Sequence, residues 1–392
     1  MTADDVERAF REEHGRAVAV LVRAFGDLDV AEEAVQDAFA EALRRWPVDG
    51  PPPSPAGWII TTARNRAVDR LRREGARPGK HAQAALLRGP AEAEPAVGDD
   101  RLRLLFTCCH PVLGMAARVA LTLRMVGGLS TAEVARAFLV PEATMAQRLV
   151  RAKARIREAR VPYRVPEAEK LPGRLAGVLA VVYLVFNEGY RREGPAAEAI
   201  RLGRVLLELL PDEPEVRGLL GLMLLVESRR AARVRGGELV LLADQDPGLW
   251  DGALAEEGRG LVRWCLRRNR PGPYQIQAAI NAVHSRPPTD WRQVLALYDQ
   301  LMAVAPSPVV ALNRAVAVAE VEGVDAALPL VEELDLGRYY LFHAVRADLL
   351  RRSGRDGEAA AAYGEALTRT GDEVEIAFLE RRRLGVLRSE GS

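Results

Sequence analysis

Aromatic residues make up only 5% of this 392-residue chain, and cysteine occurs three times, at Cys108, Cys109 and Cys265. Three cysteines, two of them adjacent, do not form the bridged framework that stabilises small secreted domains. Long apolar runs are missing as well. Leu175–Phe186 and Leu219–Val226 are too short for the roughly 20 residues that a membrane-spanning helix needs. The opening MTADDVERAFREEHG has no basic segment leading into an apolar one, so no signal peptide is expected there. No P-loop, GxSxG or HExxH pattern occurs, and runs of Val, Ile and Thr with period two are absent. These absences leave an all-α, cytoplasmic protein with no membrane segment, no enzyme chemistry and no cofactor as the expectation.

Charge is present in both signs and unevenly spread. The chain carries +1 overall, but Met1–Val165 holds 26 Lys and Arg against 21 Asp and Glu, and the remainder 29 against 33. A basic front and an acidic back point to a polyanion partner for the front alone.

Apolar periodicity of 3.6 divides the chain into regions. Three helices are expected in the first: Asp4–Phe25, Asp29–Trp46 and Ala56–Glu74. Asp29 and Glu32 stand at capping-box spacing at the head of the second. The loop PVDGPPPSP follows that helix, its prolines unsuited to a helix interior. Gly75–Asp100, rich in Ala, Gly, Pro and Glu, reads as a linker in which Ala82–Leu87 forms a helical turn. Asp100–Arg160 forms a second compact unit. From Leu171 onward the chain is a helical array with a weak repeat: TDWRQVLALYDQL, GVDAALPLVEEL and GRDGEAAAAYGEAL begin at Thr289, Gly323 and Gly354. That spacing is close to the period of about 34 residues of paired tetratricopeptide helices. Ala196–Leu210 and Val216–Arg230 read as an earlier, degenerate pair.

Within the second unit, LSTAEVARAFLVPEATMAQRLVRAKARIR (Leu129–Arg157) predicts a helix-turn-helix. Ser130 and Glu133 form a capping box, Val134, Ala135 and Phe138 face inward, and Pro141 fits the first turn of the second helix. Met145, Leu149, Ala152 and Ile156 share one stripe of that helix. Thr144, Arg148, Arg151 and Arg155 share a neighbouring one, and only Glu142 and Glu158 offer acidic partners nearby. Leu139 occupies a joint position that often carries glycine, so a remodelled turn is expected. A second basic helix, GWIITTARNRAVDRLRRE (Gly57–Glu74), opens on Trp58 and gathers Arg64, Arg66, Arg70, Arg72 and Arg73.

LDVAEEAVQDAFAEALRRWP and WIITTARNRAVDRLRRE resemble region 2 of the extracytoplasmic-function (ECF) sigma factors of RNA polymerase, and the helix-turn-helix resembles their region 4. The likeness covers Ala9–Arg160. FTCCHP, FNEGY, QDPGLWD, GPYQIQAAINAVH and SPVVALNRAVA resemble marks of a subgroup with a long C-terminal extension similar to tetratricopeptide repeats. The resemblance implies region 2 over residues 1–75, a linker over 76–100, region 4 over 101–165 and the extension over 171–392. It implies that Asp29, Glu32, Glu33, Gln36, Asp37 and Phe39 bind core RNA polymerase. It places Pro47–Gly57 and Trp58, Arg64, Asn65, Arg66, Arg70 and Arg73 at the −10 element of promoter DNA, with Trp58 more a core residue than a stacking platform. It assigns Thr144, Gln147, Arg148 and Arg151 to −35 bases, and Lys153 and Arg155 to −35 phosphates. A further regulatory protein on the array completes the expected partners. The rival reading is a DNA-anchored regulator whose array binds a partner protein without polymerase; the acidic helix at Asp29–Glu41 is what such a regulator does not need.

Two clusters suggest other chemistry and carry less weight. Cys108, Cys109 and His110 lack the spaced fourth ligand of a structural zinc site, so core packing and no metal are expected. Asn281 and His284, beside Tyr274, Gln275 and Gln277, read as a hydrogen-bonded repeat interface, with a ligand site as the alternative. Asn187 and Glu188 in FNEGY are expected in a buried polar network.

Overall fold

A computed structural model describes residues 3–73, 97–138, 140–190 and 195–389. Among these residues the chain is helical except for one small hairpin, as the periodicity requires. Ala82–Leu87 and Leu139 lie outside the described residues, and so does most of the expected linker. The chain divides into two compact units, Met1–Pro211 and Asp212–Ser392.

The first unit contains α1 (Ala3–Phe25), α2 (Leu28–Asp49), α3 (Pro55–Arg73), α4 (Val97–Cys108), α5 (Met115–Met125), α6 (Thr131–Ala137), α7 (Glu142–Glu158), α8 (Leu171–Tyr190) and α9 (Pro195–Leu209). Gly26, at φ +73°, ends α1, and Asp27 then caps α2 by accepting from the amides of Asp29 and Val30. The cap is therefore Asp27, not the Asp29–Glu32 box, and Glu32 is free to turn into the fold. Pro47 lies within the last turn of α2, where the helix is exposed to water and a missing bond costs less than in an interior. Ala31, Val35, Ala38, Phe39, Ala42 and Trp46 bury the inward stripe of α2 against α1 and α3.

Residues 97–100 form the first turn of α4, and α8 with α9 pack inside the first unit. Arg174 of α8 donates to the Phe106 carbonyl, and Arg201 of α9 to the carbonyls of Val126 and Gly127. α9 therefore pairs with α8, and the supposed pair of Ala196–Leu210 with Val216–Arg230 is divided between the two units. Asn187 is exposed, and the Glu188 side chain lies outside the described residues.

α1 lies against α5 without a gap. A Cβ on Gly15 would come 2.5 Å from the Val126 carbonyl oxygen, so only glycine permits this approach. Next to it, His14 is fully buried, and its pKa falls to about 3, first from burial and then from the charge of Arg124. The folded protein holds His14 neutral, whereas the unfolded chain protonates it below about pH 6.5. Stability is then complete above pH 6.5 and falls as the pH drops from there toward 3, at about 1.4 kcal/mol per unit. Urea unfolding of the first unit is expected to show a loss of about 1 kcal/mol between pH 6.5 and 5.5, where the titration is only beginning. A His14→Leu variant is expected to show little loss over the same interval.

The second unit comprises α10 (Pro214–Glu227), α11 (Gly252–Arg268), α12 (Pro273–His284), α13 (Trp291–Val304), α14 (Pro308–Val321), α15 (Val324–Glu332), α16 (Tyr340–Arg352), α17 (Asp356–Leu367) and α18 (Glu373–Ser389). Strands β1 (Val234–Arg235) and β2 (Glu238–Leu239) pair antiparallel across Gly236–Gly237, both at positive φ, as a two-residue hairpin demands. From α12 onward each helix packs on the next, and α13, α15 and α17 open the repeats seen in the sequence. α10 and α12 touch at Gly218, where a Cβ would meet the Gln275 backbone at 2.6 Å. Leu312, Ala315, Val318, Val331, Leu350 and Tyr363 belong to the core shared by α14–α18.

Candidate polymerase and promoter interface

The helix-turn-helix forms as its sequence dictates. The Ser130 hydroxyl accepts from the Glu133 amide at 3.1 Å, and the Glu133 carboxylate accepts from the Ser130 amide at 2.8 Å. Pro141 occupies the cap of α7, one place before its first helical residue. Met145, Leu149, Ala152 and Ile156 are buried, while Gln147, Arg148, Arg151 and Arg155 are exposed and Thr144 is half-buried. The exposed ridge therefore holds five of the six residues expected at −35. Val150 is exposed on another part of the helix surface, about 100° around from Arg151.

Lys153 does not join them. Its stem is buried, and its ammonium lies 2.5 Å from Asp29 Oδ1 and 2.8 Å from Glu32 Oε2 of α2. Arg124 of α5 donates to Glu32 Oε1 at 2.5 Å and to the Leu129 carbonyl at 2.7 Å. Arg157, one turn beyond Lys153, reaches Asp29 Oδ2 at 3.0 Å. Burial would raise the Glu32 pKa, but Arg124 and Lys153 outweigh it and hold the carboxyl below its usual range. Burial likewise opposes the charge on Lys153, and the two carboxylates overcome it.

The residues expected on the polymerase face of α2 thus divide. Asp37 is exposed, Glu33 and Gln36 are half-exposed, and Asp29 and Glu32 are engaged by the helix-turn-helix. Phe39 is 3% exposed and packs edge-on against Phe10 at 4.5 Å, so it belongs to the core and not to that face. An i+3/i+4 count from Glu32 and Gln36 cannot separate Phe39 from its surface neighbours, because the buried and exposed stripes of α2 adjoin.

On α3, Asn65, Arg66 and Arg73 are exposed, and Arg64 and Arg70 are half-exposed. Arg66 pairs with Glu41 at 3.2 Å and Arg70 with Glu33, so α2 acids orient part of this basic row. The Arg73 guanidinium donates to the Asp69 carbonyl, leaving the Asp69 carboxylate outside that bond. Trp58 is half-buried with its ring edge-on to the buried Trp46 at 5.5 Å, which assigns it to packing.

The alternative clusters are accounted for by packing. Cys108 and Cys109 are buried, and burial pushes the Cys109 thiol up to about 11. In the second unit, Asn281 accepts from Arg229 at 2.6 Å and donates to the Gln277 carbonyl, while Gln275 bonds Glu215 and the Arg270 carbonyl. His284 packs edge-on against Trp291. These bonds tie α10, α12 and the start of α13 together. Among the described residues, no group of three His, Cys, Asp or Glu is arranged to hold a metal, and no helix is long and apolar enough to cross a membrane.

Family models match this geometry region by region. The model described as Sigma-70 region 2 matches residues 9–77, and that described as Sigma-70, region 4 matches residues 104–156. A family of unknown function (DUF6596) matches residues 174–266, bridging the end of the first unit and the start of the second. Over 398 residues the chain is 44% identical to "Uncharacterized protein R00370" of Rhizobium meliloti, covering 96% of this chain and 94% of that one. It is 31% identical over 144 residues to "ECF RNA polymerase sigma factor SigK" of Mycobacterium bovis, covering 34% of this chain and 74% of the relative. It is 29% identical over 173 residues to "Probable ECF RNA polymerase sigma factor SigI" of Mycobacterium tuberculosis, where the match covers 42% of this chain and 59% of the relative. The chain belongs to the ECF sigma factor family of RNA polymerase. It is a transcription initiation factor, not an enzyme, with a C-terminal extension that the SigK match leaves uncovered.

Proposed function

We propose that this factor docks on core RNA polymerase through the acidic face of α2, with Glu33, Gln36 and Asp37 open to solvent and Asp29 and Glu32 at the edge held by the helix-turn-helix half. It reads the −10 element with α3 and the −35 element with α7, and its C-terminal array governs that activity. Cytoplasmic action follows from that role. The observation that carries the reading is the ridge of α7. Gln147, Arg148, Arg151 and Arg155 are exposed along one helix whose adjoining face is a packed apolar stripe. A helix so presented fits a major groove, with arginine suited to guanine and glutamine to adenine. On α3, Asn65, Arg66, Arg70 and Arg73 offer hydrogen bonds and charge to phosphates and opened bases. The α2 face supplies charged and polar groups that steer association and fix register.

The array is proposed to regulate, because repeat arrays present extended surfaces for partners. Run-off transcription with the full chain and with a chain ending at Pro211 tests this. Ending at Pro211 keeps α8 and α9, whose removal would strip Arg174 and Arg201 from their carbonyl partners. A clear difference in transcript yield between the two chains is expected, and equal yields would contradict regulation by the second unit.

A further inference from the structure

The FTCCHP stretch ends α4 and turns toward α5, and two arginines flank that turn. Arg118 of α5 donates from Nε to the Leu113 carbonyl at 2.8 Å. Arg174 of α8 donates from Nη2 to the Phe106 carbonyl at 2.6 Å. Arg118 also lies against α8: a Cβ on Gly177, one turn beyond Arg174, would stand 3.9 Å from Arg118 Nη1. Arg118, Arg174 and His110 are all half-buried. Among the described residues, neither arginine is ion-paired with a carboxylate. The Nε of Arg174 is buried and meets no acceptor among them. Burial holds the neighbouring Cys109 thiol neutral, at about 11, so it supplies no balancing charge.

His110 completes the set. The Val112 amide donates to its Nδ1 at 3.2 Å, which leaves the ring proton on Nε2. Nε2 is therefore a donor, and it has no partner among the described residues. Burial, then the charges of Arg174 and Arg118, hold the imidazole below its usual range, so the ring stays neutral. The first turn of α5 adds to the positive potential, because Gly114 caps it without a side-chain bond. Two like charges beside a helix N-terminus repel one another when alone and are stabilised around an anion.

We propose that Arg118, Arg174 and His110 form a binding site for a phosphoryl group, carried by inorganic phosphate or by a small phosphorylated molecule. Such a group brings about two negative charges and three acceptor oxygens. These match two guanidinium groups and one imidazole N–H, and arginine forks suit oxyanions of this shape. The three side chains are half-buried, unlike the exposed arginines of α7, which favours a small anion over a duplex backbone. Arg118 lies in the segment matched as region 4, and Arg174 opens the segment matched by the family of unknown function. A bound phosphoryl group therefore holds the first helix of the extension to region 4. The site does not rest on which faces meet polymerase and promoter.

Isothermal titration of inorganic phosphate, and separately of glycerol phosphate, into the full chain tests the site. Saturable one-to-one binding is expected. Tighter binding of phosphate assigns the free ion, and tighter binding of glycerol phosphate assigns a phosphorylated molecule. Arg118→Gln and Arg174→Gln are each expected to weaken binding by roughly tenfold to a hundredfold, the worth of a hydrogen bond to a charged group. Arg174→Gln also removes the bond to the Phe106 carbonyl, so Gly177→Asp serves as a variant that removes no bond. Its carboxylate, set beside Arg118 Nη1, takes the place of the anion. Binding is expected to vanish in Gly177→Asp while the unfolding midpoint holds or rises. With the five histidines isotopically labelled, the His110 side-chain signal is expected to shift as phosphate is added. Absence of saturable binding overturns the site. Binding that survives both Arg118→Gln and Gly177→Asp, or that leaves the His110 signal unmoved, overturns it as well. Loss of duplex DNA binding in Arg118→Gln, with no phosphate binding by the unaltered chain, would assign these arginines to a DNA backbone instead.

Discussion

Replacing Glu32 with alanine is expected to lower the stability of the first unit by about 3 kcal/mol, the low end of the usual cost of breaking a buried ion pair. The loss falls on Arg124 and Lys153, which remain in a setting that excludes most water. Each keeps one substitute, the Leu129 carbonyl for Arg124 and Asp29 for Lys153, and for that reason the low end applies. Hydrogen exchange of the full chain is expected to accelerate in α2, α5 and α7 together, since the pair ties these three helices into one body. Exchange in the second unit should not respond. A change below about 1 kcal/mol would mean that the Glu32 pair contributes no more than an exposed one. Glu32→Gln is expected to fall between the two, because it retains the shape and a hydrogen bond without the charge.

The second large effect concerns the reading ridge. Arg148→Ala combined with Arg151→Ala is expected to cost about 2–6 kcal/mol in promoter recognition, taking 1–3 kcal/mol for each arginine that engages a base in two-pronged fashion. The loss should depend on sequence, collapsing preference at the −35 positions while the −10 preference persists. Arg155→Ala should behave differently if it holds a phosphate: weaker binding on every sequence and a shallower dependence on salt. The three arginines share one exposed face, so a uniform response to all of them would argue that the whole ridge acts through charge alone.

Much of the first unit follows from local rules. The capping box at Ser130, the buried stripe from Met145 to Ile156 and the exposed arginines of α7 are each set by periodicity and by a few side-chain bonds within one turn. The repeat helices α13, α15 and α17 follow from period in the same way. What local rules miss is where a long side chain finds its partner. Lys153 has the spacing of a DNA contact, yet it turns toward Asp29 and Glu32, more than a hundred residues away in the chain. Arg157 and Arg124 show the same limit. Glu32 was expected on the surface with Glu33, but Asp27 took over the cap and left Glu32 to meet Arg124. Phe39 failed as a docking residue because the boundary between the inward and outward faces of α2 depends on Phe10 of another helix. The packing of α8 and α9 is not legible either: they look like the first helices of the array, but their arginines bond backbone carbonyls of the region 4 half.

These contacts fit the proposed promoter reader, with α3 and α7 as its two DNA-facing helices. Run-off transcription by core RNA polymerase carrying the full chain, on a library randomised across −35 and −10, tests the central claim most directly. The account predicts defined start sites with a shared motif in both windows, the −35 motif lost in the Arg148→Ala, Arg151→Ala variant. Binding of the chain to DNA without any defined start, or starts whose −35 preference survives that variant, would contradict it.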